Sequence, residues 1–223
     1  MTTRRMSMVA AAAVLALGMS ACGSDDGGSE GGAEEGAGLK IGIKFDQPGL
    51  GLKVGDQYTG LDVDVAKYVA KELGTAEGDI TFIQSPSAQR ETLISSGQVD
   101  LIFATYSITD ARKEKISFAG PYFIAGQDLL VRADDTSITG PDTLDGKKLC
   151  SVTGSTSAKK VKEKVPGVQL QEFDTYSKCV EALANGSIDA VTTDDIILAG
   201  LAATPANAGK FKVVGAPFSE ENY

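Results

Sequence analysis

The amino-acid sequence predicts an α/β fold. From residue 39 onward, short β-like runs alternate with amphipathic helical stretches, which is the pattern of α/β architectures. The composition, 42% hydrophobic and 23% charged, is that of an ordinary globular protein. The length of 223 residues suits one large domain or two small ones.

The first part of this pattern begins with a strand at residues 40–45, followed by a helix at residues 62–73. The apolar residues of that segment recur at helical spacing, Asp62 is suited to cap its N-terminus, and Gly74 is suited to end it. The other elements predicted in this part are strands at 80–84 and 99–103, a helix at 88–96, and extended segments at 116–118 and 127–132.

The alternation restarts in the second part of the chain. The predicted strands are 148–152, 168–173, 190–193 and 211–214, and the predicted helices are 156–164, 175–184 and 195–202. Segments 93–102 and 183–191 are alike, because each ends a helix at glycine and starts a strand with an apolar residue and aspartate. Each strand then enters a polar loop, and ligands of open α/β sheets bind at such strand ends. Two facing halves would form a polar cleft, although this connection is also common without any functional meaning.

The composition excludes several function classes. The sequence has no histidine, which removes Ser-His-Asp and Cys-His nucleophilic sites, HExxH zinc sites and histidine acid–base catalysis. The formal net charge of −9 argues against nucleic-acid binding, which needs basic patches. Isolated aspartates without a Cys/His cluster give no argument for a metal site.

The N-terminus has the organisation of an export signal. Arg4 and Arg5 precede an apolar run at residues 8–17 that is too short to span a membrane. Residues 19–22, with the sequence MSAC, resemble the bacterial lipobox, so we expect residues 1–21 to be a lipoprotein signal peptide and Cys22 to carry lipid. The alternative is an ordinary signal peptide with an incidental cysteine. The paired arginines leave the export route, general or twin-arginine, open.

A hydrophilic tether follows the lipidated cysteine. Residues 23–38 consist of Gly, Ser, Ala, Asp and Glu, and they contain no large apolar residue that could be buried. We therefore expect residues 22–38 to form a flexible acidic tether that holds the folded part on the outer face of the cell membrane. The tether carries part of the acidic charge, so the folded part is only mildly acidic.

Residues 107–112, with the sequence SITDAR, have the composition of a carboxylate receptor. Thr109 can cap a short helix and leave free N–H groups at its start, and Arg112 falls at the third helical position with a guanidinium suited to bidentate binding. The alternative is a capped surface turn with a solvated arginine. Arg90 could reach the same cleft as a second cation, although surface arginines on helices are commoner.

The second half offers the complementary groups. Asp194 is a candidate for binding an ammonium group, and Asp195 is better suited to cap the following helix. The loop at residues 154–157 presents backbone N–H groups that attract anions, but it lacks the Gly-Lys-Ser/Thr ending of a nucleotide-binding loop. Cys150 and Cys179 form an even pair in an exported chain, which favours a disulfide.

From residue 39 to the last residue, the chain resembles the extracellular solute-binding proteins of amino-acid ABC importers (family 3). The motifs that carry the resemblance occur in order at 60–66 (GLDVDVA), 107–112 (SITDAR), 118–122 (FAGPY) and 187–194 (SIDAVTTD). Residues 44–49 and the surroundings of the two cysteines look most like the glutamate-binding lipoproteins of high-GC Gram-positive bacteria.

The resemblance implies a two-lobe fold of the type II periplasmic-binding-protein class with a β hinge. Residues 39–132 would form lobe 1, residues 133–215 lobe 2, and residues 216–223 the start of the second hinge crossing. The family normally continues beyond this point with elements that complete lobe 1. The chain therefore looks truncated at its C-terminus, with an apolar surface of lobe 1 left uncovered.

The resemblance also implies the ligand and the residues that hold it. The expected activity is capture of an acidic amino acid, most simply L-glutamate, by a monomer without cofactor or metal that delivers it to ABC permease subunits. The alternatives are glutamine or aspartate, sensing instead of transport, and a dehydratase on the same fold. The implied ligand set is Arg112, Ser107 and Thr105 for the α-carboxylate, Asp194 for the ammonium, Arg90, Ser87 and Lys44 for the side-chain carboxylate, and Thr156 with Tyr176 from lobe 2.

Overall fold

A computed structural model describes residues 38–223, which lie in a single compact unit. The predicted signal peptide, the lipidation site at Cys22 and most of the tether lie outside the described residues. No helix within residues 38–223 combines the length and the apolar character that crossing a bilayer requires.

The described chain contains twelve strands and six α-helices. The strands are β1 Lys40–Ile43, β2 Asp46–Gln47, β3 Gly51–Val54, β4 Gln57–Thr59, β5 Thr81–Gln84, β6 Leu101–Ile102, β7 Ile124–Arg132, β8 Lys148–Val152, β9 Gln169–Phe173, β10 Ala190–Asp194, β11 Phe211–Val213 and β12 Glu220–Asn222. The helices are α1 Leu61–Glu72, α2 Arg90–Ser95, α3 Asp110–Lys113, α4 Thr156–Lys164, α5 Tyr176–Ala184 and α6 Asp195–Ala202. Short 3₁₀ turns lie at Glu77–Asp79, Ser87–Gln89 and Pro141–Thr143.

The first sheet is parallel and has the order β5-β1-β6. Ile41 and Ile43 of β1 are fully buried against the apolar face of α1, where Val63 and Ala66 form the same cluster. A small antiparallel sheet of β2, β3 and β4 lies between β1 and α1 in the chain. The loops that follow β1, β5 and β6 leave the same end of the first sheet, because parallel strands have their carboxyl ends on one side.

The second sheet has the order β11-β7-β10-β8-β9, and β12 also pairs with β7. Strand β7 is antiparallel to β10, whereas β8 runs parallel to β9 and β10. A disulfide joins Cys150 of β8 to Cys179 of α5, with Cα atoms 5.6 Å apart, so the pairing favoured by the sequence is confirmed. Both sulfurs lie in the main apolar cluster of this sheet.

Two of the predicted helix caps are wrong. Helix α1 begins at Leu61 after Gly60, so Asp62 lies inside the helix. Its buried carboxylate accepts hydrogen bonds from the backbone N–H of Thr105 (3.0 Å) and the hydroxyl of Tyr122 (2.7 Å). Asp195 is the first residue of α6, and Asp194 occupies the N-cap position. The carboxylate of Asp195 accepts from the backbone N–H groups of Ile196 (2.7 Å) and of Gly126 in β7 (3.3 Å).

The remaining differences concern short elements. The predicted extended segment at 116–118 forms no strand, and the predicted helix at 88–96 is a 3₁₀ turn followed by α2. Strands β2, β3, β4 and β12 were not predicted, because β2, β3 and β4 are stabilised by pairing with one another and β12 by pairing with the distant β7. The longer elements were predicted closely, and α4, α6 and β8 have the predicted bounds.

Candidate functional site

A polar cavity lies where loops after strands of the first sheet meet loops after strands of the second. It has a volume of about 260 Å³, which includes space open to solvent. Eight of the nine predicted ligand-binding residues line it, and the exception is Lys44. The complete wall consists of Gln47, Ser87, Arg90, Thr105, Ser107, Arg112, Ser155, Thr156, Ser157, Tyr176, Thr193, Asp194 and Ile197.

Arg112 is held in the wall by its backbone surroundings. It is the third residue of α3, and the helix cap predicted at Thr109 is confirmed, because the Thr109 hydroxyl accepts from the Arg112 N–H. The guanidinium Nη1 donates to the backbone oxygen of Ser107 (2.7 Å) and Nη2 to that of Gly154 (3.4 Å). Its Nε lies 3.6 Å from a carboxylate oxygen of Glu91. The side chain is therefore oriented on three sides before any ligand is present.

Arg90 is the second cation of the cavity and has fewer partners. It starts α2 and is 3% exposed, and its Nε donates to the backbone oxygen of Ser85 (3.3 Å). Within residues 38–223 no carboxylate lies within ion-pairing distance of Arg90. Burial lowers the pKa of Arg90, and the charge of Arg112 acts in the same direction. The cavity thus contains a buried positive charge without a protein countercharge.

Asp194 is the acidic group of the cavity. It ends β10 and is 3% exposed, and its carboxylate accepts from the hydroxyls of Tyr223 (2.5 Å) and Ser157 (3.4 Å). Burial raises the pKa of Asp194 to about 7, and the nearby carboxylate of Glu221 adds to the effect. The group can therefore be neutral when it stands alone and ionised when a cation lies beside it.

Direct contacts connect the two sides of the cavity. The hydroxyls of Ser107, after β6, and Thr156, at the start of α4, are 3.2 Å apart. The hydrogen bond from Arg112 to the Gly154 carbonyl crosses the same gap. Tyr176 begins α5, and burial raises the pKa of its phenol, which therefore stays neutral. The two hydrogen bonds that join the sides of the cavity are thus made by hydroxyls, a guanidinium group and a backbone oxygen.

Lys44 lies behind the wall rather than in it. It is fully buried, and its ammonium is 3.1 Å from a carboxylate oxygen of Asp46. The other oxygen of Asp46 accepts from the backbone N–H of Tyr176 (3.2 Å) and the hydroxyl of Ser177 (3.4 Å). Lys44 thus neutralises a carboxylate that connects β2 to the start of α5.

Five wall residues were not named in the predicted ligand set: Gln47, Ser155, Ser157, Thr193 and Ile197. Thr193 belongs to the polar loop at residues 192–194 that the sequence placed in the cleft. Ser155 and Ser157 belong to the 154–157 loop, which the sequence singled out as an anion-attracting segment, so a signal for them existed. Gln47 accepts a hydrogen bond from the Thr105 hydroxyl (3.1 Å) and lies in β2, which had no sequence signal. No group of three or more potential metal-ligating side chains occurs in the part of the chain that the structure describes.

Comparison with known proteins agrees with this architecture. The sequence model of the bacterial extracellular solute-binding proteins, family 3, matches residues 39–174. The chain is 50% identical to the glutamate-binding protein GluB of Corynebacterium efficiens over 235 aligned positions, covering 100% of this chain and 79% of GluB. It is 35% identical to the glutamine-binding protein GlnH of Bacillus subtilis, covering 83% of this chain and 67% of GlnH.

Solved structures are similar to the whole described fold. An ancestral arginine-binding protein bound to arginine superposes with a TM-score of 0.77 at 33% identity, covering 84% of this chain and 82% of that one. The holo arginine-binding protein of T. maritima superposes with a TM-score of 0.75 at 26% identity, covering 83% of this chain and 80% of that one.

Proposed function

Because this chain belongs to the bacterial extracellular solute-binding proteins of family 3, we propose that it binds L-glutamate and delivers it to the permease subunits of an ABC importer. Membership of an extracellular family makes the protein an exported one, and its fold is the type II fold of periplasmic binding proteins. The function is binding rather than turnover, as in the substrate-binding proteins to which the chain is similar.

The observation that carries the proposal is the charge set of the cavity. Glutamate has two carboxylates and one ammonium group, and the cavity offers two buried arginines and one buried aspartate. Arg90 has no carboxylate partner among the described residues, so a ligand that brings a second carboxylate satisfies it, whereas glutamine does not. Buried charges are stable when they are paired, which favours the dicarboxylate.

We assign the ligand groups to residues as follows. Arg112 would bind the α-carboxylate with the hydroxyls of Ser107 and Thr105, because its guanidinium is already oriented toward the gap. Asp194 would bind the α-ammonium group. Arg90 and Ser87 would bind the second carboxylate. Thr156 and Tyr176 would contact the ligand from the second side of the cavity, and Lys44 would contribute from behind the wall.

Calorimetric titration with L-glutamate, L-glutamine and L-aspartate tests the assignment. Arg112→Gln should weaken all three ligands, and Arg90→Gln should weaken glutamate far more than glutamine. Loss of a charge-assisted hydrogen bond costs about 1.5–3 kcal/mol, so the expected changes are roughly tenfold to 150-fold. Lys212→Gln, which removes an exposed charge on β11, is the matched control. Equal wild-type affinities for glutamate and glutamine would remove Arg90 as the selector.

Glutamine is the second candidate ligand, because a relative at 35% identity is a glutamine-binding protein. The same titration separates the two, since a glutamine receptor would prefer the neutral amide. Aspartate binding would show as a preference for the shorter dicarboxylate, and conversion of a prephenate-like acid to product would reveal a dehydratase. Glutamate uptake by cells that lack the protein distinguishes transport from sensing.

The remaining parts of the proposal concern anchoring and domain organisation, and they rest on the sequence. Residues 1–21 would be removed on export, Cys22 would carry lipid, and residues 22–38 would tether the domain to the outer face of the membrane. Residues 39–132 and 133–215 would act as lobes of a monomer, with residues 216–223 in the second hinge crossing. Mass spectrometry of the mature protein tests this, because an unmodified Cys22 would contradict lipidation.

A further inference from the structure

The two cationic side chains of the cavity share one aromatic partner. The guanidinium carbon of Arg112 lies over the ring of Tyr106 at 4.4 Å from its centroid, and that of Arg90 lies over the same ring at 4.9 Å. Tyr106 is 5% exposed and stands behind the guanidinium groups rather than in the cavity wall. The sequence places Tyr106 in the polar loop at residues 105–107 that lines the predicted cleft, but it assigns this residue no part in binding the ligand.

The backbone places Tyr106 in this position. Thr105 has a φ of +47°, and apart from glycines it is the residue with a left-handed backbone among those the structure describes. Such strain in a β-branched residue persists only where the surroundings impose it, and it concentrates at functional sites. Thr105 and Ser107 both face the cavity, while the ring between them points away and packs against Phe118 at 5.2 Å between centroids.

The ring compensates a repulsion that is inherent in the site. Two buried guanidinium groups repel each other, and the negative face of an aromatic ring attracts each of them, most strongly where water is excluded. The Tyr106 hydroxyl is buried close to the carboxylate of Glu91, but it makes no hydrogen bond of normal geometry among the described residues. The contacts of Tyr106 with the two arginines are made by its ring.

We propose that Tyr106 is the positioning residue that makes the cavity selective for a dicarboxylate, because its ring holds Arg90 in place beside Arg112. The inference rests on the proposed binding of glutamate. The two arginines depend on the ring unequally. Arg112 is also oriented by the carbonyls of Ser107 and Gly154, whereas the hydrogen bond from Arg90 to Ser85 is at 3.3 Å.

This asymmetry gives a signature that a purely structural role would not produce. Removing the ring should disturb the subsite for the second carboxylate and leave the α-carboxylate subsite largely intact. Glutamate affinity should therefore fall while glutamine affinity is nearly retained. A general loss of packing around Tyr106 would instead weaken both ligands by the same factor.

The experiment measures both affinities calorimetrically for the wild type, Tyr106→Phe and Tyr106→Leu. Tyr106→Phe keeps the ring and should keep the glutamate-to-glutamine affinity ratio. Tyr106→Leu should lower that ratio about tenfold, which is the scale of one desolvated cation–π contact. An unchanged ratio in Tyr106→Leu would overturn the proposal.

If Tyr106→Leu does not fold, a series of variants with phenylalanine at position 106 that carries increasing numbers of fluorine atoms tests the same proposal. Fluorine withdraws the negative charge from the ring face with little change in shape, so the glutamate-to-glutamine ratio should fall with each added fluorine. A ratio that does not change along the series would also overturn the proposal. A wild-type protein that binds no glutamate would contradict the proposed function instead, so the two failures are distinguishable.

Discussion

Replacing Asp194 by asparagine should separate the effect of the buried carboxyl group on ligand binding from its effect on stability, since the substitution removes the charge and keeps the shape. The carboxyl has a pKa of about 7 in the unliganded protein, against an ordinary value of 3.8, because it is buried and lies near Glu221. Asp194→Asn should therefore weaken amino-acid binding and at the same time stabilise the unliganded protein at pH 8.

The magnitude follows from the shift in pKa. One unit corresponds to 1.36 kcal/mol, so a rise from 3.8 to about 7 disfavours the ionised form in the unliganded fold by about 4 kcal/mol. Between these two values the folded protein holds a proton that the unfolded chain has lost. The free energy of unfolding of the unliganded wild type should therefore fall as the pH rises from about 4 to about 7, and Asp194→Asn should lack this slope.

Ligand binding should depend on pH in the opposite direction to stability, because it becomes stronger as the pH rises. The ammonium group of an amino acid favours the ionised carboxylate, so binding below pH 7 must expel a proton from Asp194. With a pKa of about 7, the affinity should be about tenfold lower at pH 6 than at pH 8. The ligand carboxylates keep their charges throughout this range.

Titration calorimetry in two buffers with different ionisation enthalpies counts the protons that are released. The wild type should release close to one proton per glutamate at pH 6 and almost none at pH 8, and Asp194→Asn should release none at either pH. Glutamine should show the same proton count, because it shares the ammonium group. Equal wild-type affinities at pH 6 and pH 8 without proton release would refute the reasoning.

Two further predictions concern contacts around the cavity. Gly154→Ala should weaken glutamate binding in calorimetry, because a Cβ there would lie 2.7 Å from the Cα of Ala88. Gly186→Ala, with the same φ of +78° and open space, is the control, and equal losses in both variants would contradict the contact. Asp46→Asn should lower the free energy of unfolding in urea by about 3 kcal/mol, because it leaves the buried Lys44 ammonium unpaired. Combining it with Lys44→Met should restore most of this loss, and a double variant no more stable than Asp46→Asn would contradict the pairing.

The sequence predicted the parts of the fold that repeat a local pattern. Helices α4 and α6 have the predicted bounds, since the spacing of their apolar residues is a local property. Strand β12 was missed because it is three residues long and is stabilised by pairing with β7, which is distant in the sequence. Asp62 was misplaced for the same kind of reason. Its partners are Thr105 and Tyr122, and no local rule brings them together.

Most of the candidate site was implied by the family resemblance, while Arg112, Arg90 and Asp194 were also argued from the residues themselves. Eight residues of this set line the cavity, where polar loops after strands converge. Lys44 also follows a strand, but its side chain turns to Asp46 and away from the cavity. Tyr106 belongs to the loop at residues 105–107 that the sequence placed in the cleft, but its contact with both arginines could not be predicted, because only the tertiary structure brings them over its ring.

The charges of the cavity explain why ligand binding and closure should be coupled. Arg90 and Asp194 are each 3% exposed, and within residues 38–223 neither has an oppositely charged group at ion-pairing distance. Burying such groups costs free energy, which disfavours a closed cavity that holds no ligand. An amino acid with a second carboxylate supplies the countercharge for each group and removes that cost only when the cavity closes around it. Under the proposed binding of glutamate, we therefore expect the ligand to favour a closed form through the same charges that would select it.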